Sequence, residues 1–224
     1  MTKIKVILFS LFLMSLFSCG KNSQATQATQ KPQGSVNTNT AMSQPVETKD
    51  EASFKPFYIY KNKGSVENHF IPSGWMGETG DITFNDAETQ NPQSGSSCIK
   101  VTYSPKGSGG ARWAGLYWQN PANNWGTKKG GYDLSGATRL KFWARGENGG
   151  ERIKEFKVGG LTGEYPDSDT ATIEDVILTK EWKEYTIDLR GKDLSYISGG
   201  FCWSTSLDVN PNGVTFYLDD IVYE

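Results

Sequence analysis

Arg139-Leu140-Lys141-Phe142-Trp143-Ala144-Arg145 alternates without a break, with Leu140, Phe142 and Ala144 on one side and Lys141, Trp143 and Arg145 on the other. Successive side chains of a strand point to opposite faces, so this period of two predicts a strand with one buried face and one face of polar and aromatic groups. Upstream, Cys98-Ile99-Lys100-Val101-Thr102-Tyr103 repeats the pattern with Ile99, Val101 and Tyr103 inward. Downstream, Glu155 to Gly159 repeat it with Phe156 and Val158 inward, so this strand and the Arg139 strand read as neighbours that share one plan. The same reading predicts strands at Phe57–Tyr60, Asp81–Phe84, Trp113–Trp118, Val176–Leu178, Glu184–Leu189, Gly200–Trp203 and Thr215–Tyr223. Turns are expected at Pro72-Ser73-Gly74, Glu78-Thr79-Gly80, Gly107 to Gly110, Asp167-Ser168-Asp169 and Glu174-Asp175. A single sheet of about ten strands would expose a whole face and both edges, so two packed antiparallel sheets are expected. The fold class is therefore all-β, a jelly-roll β-sandwich.

The start of the chain has a different character. Lys3 and Lys5 precede an apolar run from Val6 to Phe17, the layout of an export signal. That run is too short for a transmembrane helix, which needs roughly 20 apolar residues. Leu16-Phe17-Ser18-Cys19 resembles the bacterial lipobox, which implies removal of residues 1–18 and lipid attachment at Cys19. Acyl chains contribute about 0.8 kcal/mol per buried CH₂, so such an anchor holds the chain on a membrane. Gly20 is not the aspartate that some envelopes use for inner-membrane retention, so the outer membrane is the expected location, with the domain facing the periplasm or the cell surface. Residues 19–53 are rich in Gln, Thr, Asn, Ser and Lys with no apolar period, and read as a disordered polar linker. Residues 54–224 form the predicted domain.

Net charge is −2, and the charges of the domain are interleaved, which argues against nucleic acid as a partner. With one histidine, His69, there is no basis for a multi-histidine metal centre, and no nucleophile elbow is present. The Glu-x-Asp-x-x-Glu pattern of jelly-roll glucanases is absent too, since Glu151 and Glu155 are not spaced that way. No enzyme activity is expected. Cys98 and Cys202 either pair, as export permits, or stay buried as free thiols. Oligomeric state is not legible.

A first strand followed by Gly64-Ser65 and Asn68, then Ser94-Gly95-Ser96 leading into Ile99-Lys100-Val101, resembles the opening of carbohydrate-binding modules with the galactose-binding-like jelly roll. Trp182-Lys183-Glu184-Tyr185-Thr186-Ile187-Asp188-Leu189 and Phe216-Tyr217-Leu218-Asp219-Asp220-Ile221 are similar to the closing strands of the same modules. The resemblance spans nearly all of Phe54 to Glu224 and implies an oligo- or polysaccharide partner; the same superfamily also hosts adhesins and protein-binding modules, which give the alternative of a protein-interaction or cell-envelope module.

A sugar site needs flat apolar surface for the pyranose ring and fixed polar groups for its hydroxyls. Seven tryptophans exceed what a core of this size needs. Trp182, at a strand start, reads as core, and Trp113 and Trp118 point to opposite faces, so one of them is buried. The candidates for a concave aromatic and charged face are Trp113, Tyr117, Trp125, Trp143, Arg145, Glu155, Lys157 and Trp203. If Trp143, Arg145, Glu155, Lys157 and Trp203 line one groove, the sugar reading gains; if they are buried or scattered, it loses its main support. The resemblance further implies one structural Ca²⁺, with Asp219 or Asp220 as carboxylate, Ser94 or Gly95 as carbonyl, and Glu67 in place of the early acid that family members carry. Otherwise Asp219-Asp220 simply ends a strand.

Overall fold

The computed structural model describes Phe54 to Glu224, except Pro105 and Ser108. The expected signal peptide, Cys19 and the linker lie outside the described residues. Eleven strands follow in order: β1 (Phe57–Tyr60), β2 (Ile71–Gly77), β3 (Ile82–Glu88), β4 (Cys98–Tyr103), β5 (Trp113–Gln119), β6 (Arg139–Gly146), β7 (Arg152–Gly159), β8 (Thr170–Ile177), β9 (Lys183–Asp188), β10 (Gly199–Ser206) and β11 (Val214–Tyr223). They build two antiparallel sheets packed as a jelly-roll β-sandwich. The first has the order β3-β4-β11-β6-β9, with β1 also paired to β11, and the second has the order β2-β5-β10-β7-β8.

The alternation decides what each sheet buries. Leu140, Phe142 and Ala144 of β6 face Phe156 and Val158 of β7 and Phe201 of β10 across the core, and all six are fully buried. Ring contacts tie the layers together: Phe142 to Phe156 at 4.6 Å, Phe142 to Phe201 at 5.2 Å, and Trp203 to Phe216 edge-on at 5.1 Å. Such pairs contribute about 0.5–1.5 kcal/mol each beyond the area they bury.

Three expectations are corrected here. Pro72-Ser73-Gly74 is not a turn but part of β2, an edge strand, where a proline costs no ladder bond. The register shifts between Pro72 and Gly74, and a Cβ on Gly74 would stand 2.7 Å from Tyr117 Cβ, so only glycine lets β2 approach β5. Glu174-Asp175 likewise lies inside β8, which starts at Thr170, although Asp175 takes φ 50° and interrupts the alternation. Lastly, β6 and β7 are consecutive but sit in different sheets, because the chain crosses the sandwich between them. Cys98 and Cys202 are both buried and free. Burial pushes the Cys98 thiol up to about 12.

Candidate functional site

The outer face of the second sheet carries the densest set of the expected residues. Cys202 pairs in register with Tyr117 of β5 and Lys157 of β7, and Lys157 pairs with Thr172 of β8. On the next rung, Met76, Gly115, Ser204, Glu155 and Glu174 follow one another across all five strands. At the usual strand spacing of about 4.8 Å, this rung is roughly 19 Å long. Gly115 and Ser204 at its middle are small, and the Met76 methyl packs over the glycine. A Cβ on Gly115 would meet Met76 Cε at 2.8 Å and Ser204 Cβ at 3.2 Å, so the glycine leaves room for the methionine.

Tryptophans close both ends of this face. β5 alternates, so Ala114, Leu116 and Trp118 enter the core while Trp113 stays outside, 39% exposed. Four residues along, roughly 13 Å at strand rise, stands Tyr117. Trp125, also 39% exposed, meets Tyr117 edge-on at 6.0 Å between ring centres. The loop that holds Trp125 is organised by Asn124, which is fully buried and accepts from the backbone N–H groups of Gly126, Thr127 and Lys128. Gln119 donates to the Asn124 carbonyl, which fastens this loop to the end of β5. A second loop leans on it through Tyr165 N–H to the Gly126 carbonyl, and Asp167 holds that second loop by accepting from Leu161 and Gly199 N–H. Burial raises the Asp167 carboxyl above its ordinary value, against the pull of those N–H donors.

Tyr117 lies on this face as expected but is only 5% exposed, packed with Leu161, Cys202 and Met76 and donating to the Gly159 carbonyl. It supports Trp125 instead of meeting solvent. Burial pushes its phenol up. Glu155 and Lys157 are half-buried; Glu155 accepts from Ser204 Oγ at 3.3 Å, and the Lys157 stem runs beside Gly160.

The five residues expected to line one groove are buried or divided between the two sheets, so the support that a shared groove would give the sugar reading is lost. Trp203 is 0% exposed in the core, because Phe201 and Trp203 take the inward positions of β10 and leave Cys202 and Ser204 outward. Trp143 and Arg145 lie on the outer face of the first sheet, opposite in register to Asp219 and Tyr217. Arg145 is buried, with its guanidinium 3.6 Å from the Tyr217 ring centre and 5.3 Å from that of Trp182. Trp182 is thus a half-buried residue of that outer face, donating to the Asn91 carbonyl, and not part of the core. Sequence reading missed Met76, Ser204, Thr172 and Glu174, whose only signal is cross-strand register.

The metal candidates separate as well. Asp219 is fully buried and accepts from the backbone N–H groups of Gln93, Ser94 and Asp220. Burial lifts its carboxyl to about 6. Asp220 accepts from Ser94 Oγ at 2.7 Å, and Glu67 pairs with Lys61. Gly95 packs beside the Asn62 amide, whose Oδ1 takes the N–H groups of Ser96 and Ser97. A hard cation needs six to eight free oxygens, and here N–H donors hold the buried carboxylate while the Lys61 ammonium shares a cavity with Ser94 and Asp220. These residues do not fit a calcium ion. Among the described residues no group of three or more His, Cys, Asp or Glu side chains is placed to hold a metal.

No protein-family model matches the chain, and no curated protein matches it. Among solved structures it is similar to a family 30 carbohydrate-binding module, with a TM-score of 0.52 and 18% identity over 76% of this chain and 98% of the other. It is also similar to the family 30 carbohydrate-binding module of the cellulosomal cellulase Cel9D-Cel44B of Clostridium thermocellum, with a TM-score of 0.50 and 18% identity over 76% of this chain and 97% of the other. At that identity the likeness shows the fold.

Proposed function

We propose that this protein is a non-catalytic carbohydrate-binding lipoprotein that takes an oligo- or polysaccharide on the outer face of its second sheet. One observation carries the reading: Trp113 and Trp125, each 39% exposed, stand at the two ends of one sheet face whose floor is Ser204 and the Met76 methyl over Gly115. Indoles at such positions offer flat apolar surface to sugar rings, and Glu155, Lys157, Thr172 and Glu174 offer hydrogen bonds to hydroxyls along the same floor. The solved modules that share the fold are carbohydrate-binding by name, which agrees with this reading.

The test is a glycan array with the mature chain carrying Cys19→Ser, compared with the same chain carrying Trp113→Ala or Trp125→Ala. Binding lost in either variant supports the site. A folded chain that binds no glycan would leave a protein-interaction module as the better reading. Lipid on Cys19 would tether the domain to the outer membrane. Cell fractionation tests this, because Cys19→Ser should move the protein from the membrane to the soluble fraction.

A further inference from the structure

Trp143, displaced from the expected groove, lines a different one. A cavity of about 270 Å³ opens on the outer face of the first sheet, with the Trp143 indole and Tyr58 among its walls and Lys141, Glu184, Asp220 and Ser94 around them. Strands β6, β9 and β11 place these groups: in register, Trp143 stands between Glu184 and Asp219. Facing sheets pack about 10 Å apart, so this cavity and the Trp113–Trp125 face lie back to back across the sandwich.

The chemistry of the cavity selects its ligand. Its charged groups already have partners within the protein. Lys141 Nζ is 3.1 Å from Glu224 and 3.5 Å from Glu184, Lys61 pairs with Glu67, and Asp220 accepts from Ser94 Oγ. Both ammonium groups of the wall are thus already paired with carboxylates, so the cavity holds no free positive charge to draw in an anion, while its carboxylates and ammonium groups keep spare hydrogen-bonding capacity. One half-buried indole beside a ring of such groups suits a small neutral polyol with one apolar face. The volume is below the range of about 300–1,000 Å³ typical of pockets for larger ligands, which restricts the occupant to one sugar ring.

We propose that this cavity is a second carbohydrate site that takes a single neutral sugar residue, free or as a chain end. The protein then holds two glycans at once on opposite faces. This site rests on its own geometry and shares only the ligand class with the first.

The experiment is NMR of the mature Cys19→Ser chain with ¹⁵N-labelled tryptophan, titrated separately with glucose, galactose and N-acetylglucosamine. Trp143→Phe assigns the Trp143 indole signal. That signal should shift and saturate with a Kd near 1 mM, the weak affinity expected of one ring. Glu184→Gln, at an exposed position that leaves the core intact, should weaken the effect at least fivefold, while Trp113→Ala and Trp125→Ala should not change it. Shifts confined to Trp113 and Trp125 would overturn the second site and leave the first standing. No shift at any indole would overturn the second site; the glycan array then decides the first independently.

Discussion

Trp203→Ala and Trp113→Ala separate the core from the binding face, although both tryptophans lie on the paired strands β10 and β5. Trp203 is 0% exposed, and its indole N–H has no hydrogen-bond partner, so its contribution is packing alone, including the edge contact with Phe216. Removing a buried aromatic ring costs about 3–5 kcal/mol once the cavity it leaves is included. For a domain of this size, each kcal/mol lowers Tm by about 2–4 °C, so Trp203→Ala should melt roughly 6–20 °C below wild type. Trp113 is 39% exposed, and its truncation should cost about 1 kcal/mol and a few degrees at most. Binding should show the reverse: Trp113→Ala raises Kd at least tenfold, a loss of about 1.4 kcal/mol, while Trp203→Ala leaves Kd within about threefold below its own Tm. Urea and thermal melts give the first pair of numbers, and calorimetric titration with whichever glycan the array identifies gives the second. A Trp203→Ala chain that melts within 3 °C of wild type and no longer binds would refute this assignment of faces.

Three further outcomes follow from the same contacts. Burial holds the Asp219 carboxyl at about 6 against an ordinary 3.8, so the folded chain keeps that proton to higher pH than the unfolded chain does. Its contribution to stability is full below about pH 3.8 and is lost as pH rises through about 6, so the Tm of wild type minus that of Asp219→Asn should become more positive on going from pH 7 to pH 5; a difference that becomes more negative on acidification would contradict the sign. Because N–H donors already hold that carboxylate, excess Ca²⁺ or chelator should leave Tm unchanged, and a Ca²⁺-induced rise above about 3 °C would show that the oxygens rearrange to accept the ion. Cys98 and Cys202 are free and buried, so reductant should not alter Tm, and peptide mapping after native-state alkylation should find both unmodified until the chain is unfolded.

Period two was enough to locate β4, β5, β6 and β7 and to assign the inward faces of β4, β6 and β7, because those three alternate apolar with polar or aromatic residues over five or more positions. It also put Trp113 and Trp118 on opposite faces, and the structure shows that Trp118 is the buried one. The pattern failed where chain geometry replaces side-chain alternation. β2 carries Pro72, Ser73 and Gly74, residues that signal a turn but here follow from an edge position and a close approach to Tyr117. β8 is an edge strand with few buried side chains, so its polar acids resemble a turn. Trp203 was misplaced for a different reason: the Gly199–Ser206 strand is buried along most of its length, on the core side and under the Tyr117 cluster, and such a strand has no polar stripe from which to fix its phase.

Alternation says which residues of one strand share a face, but it does not say which face of which sheet that is. Trp143 with Arg145, and Glu155 with Lys157, were each sorted correctly within their strands, yet β6 pairs with β11 and β9 while β7 pairs with β10 and β8. A chain that crosses the sandwich between consecutive strands sends equivalent outward positions to opposite sides of the molecule. The single groove expected from the sequence is thereby divided into two surfaces, each with its own indoles. Exposed tryptophans scattered one by one need no explanation. Two at the ends of one face, and a third in a polar cavity behind it, leave apolar ring surface in water at three ordered positions. That exposure stabilises nothing in the fold, which is why glycan binding to each face separately is the property worth measuring.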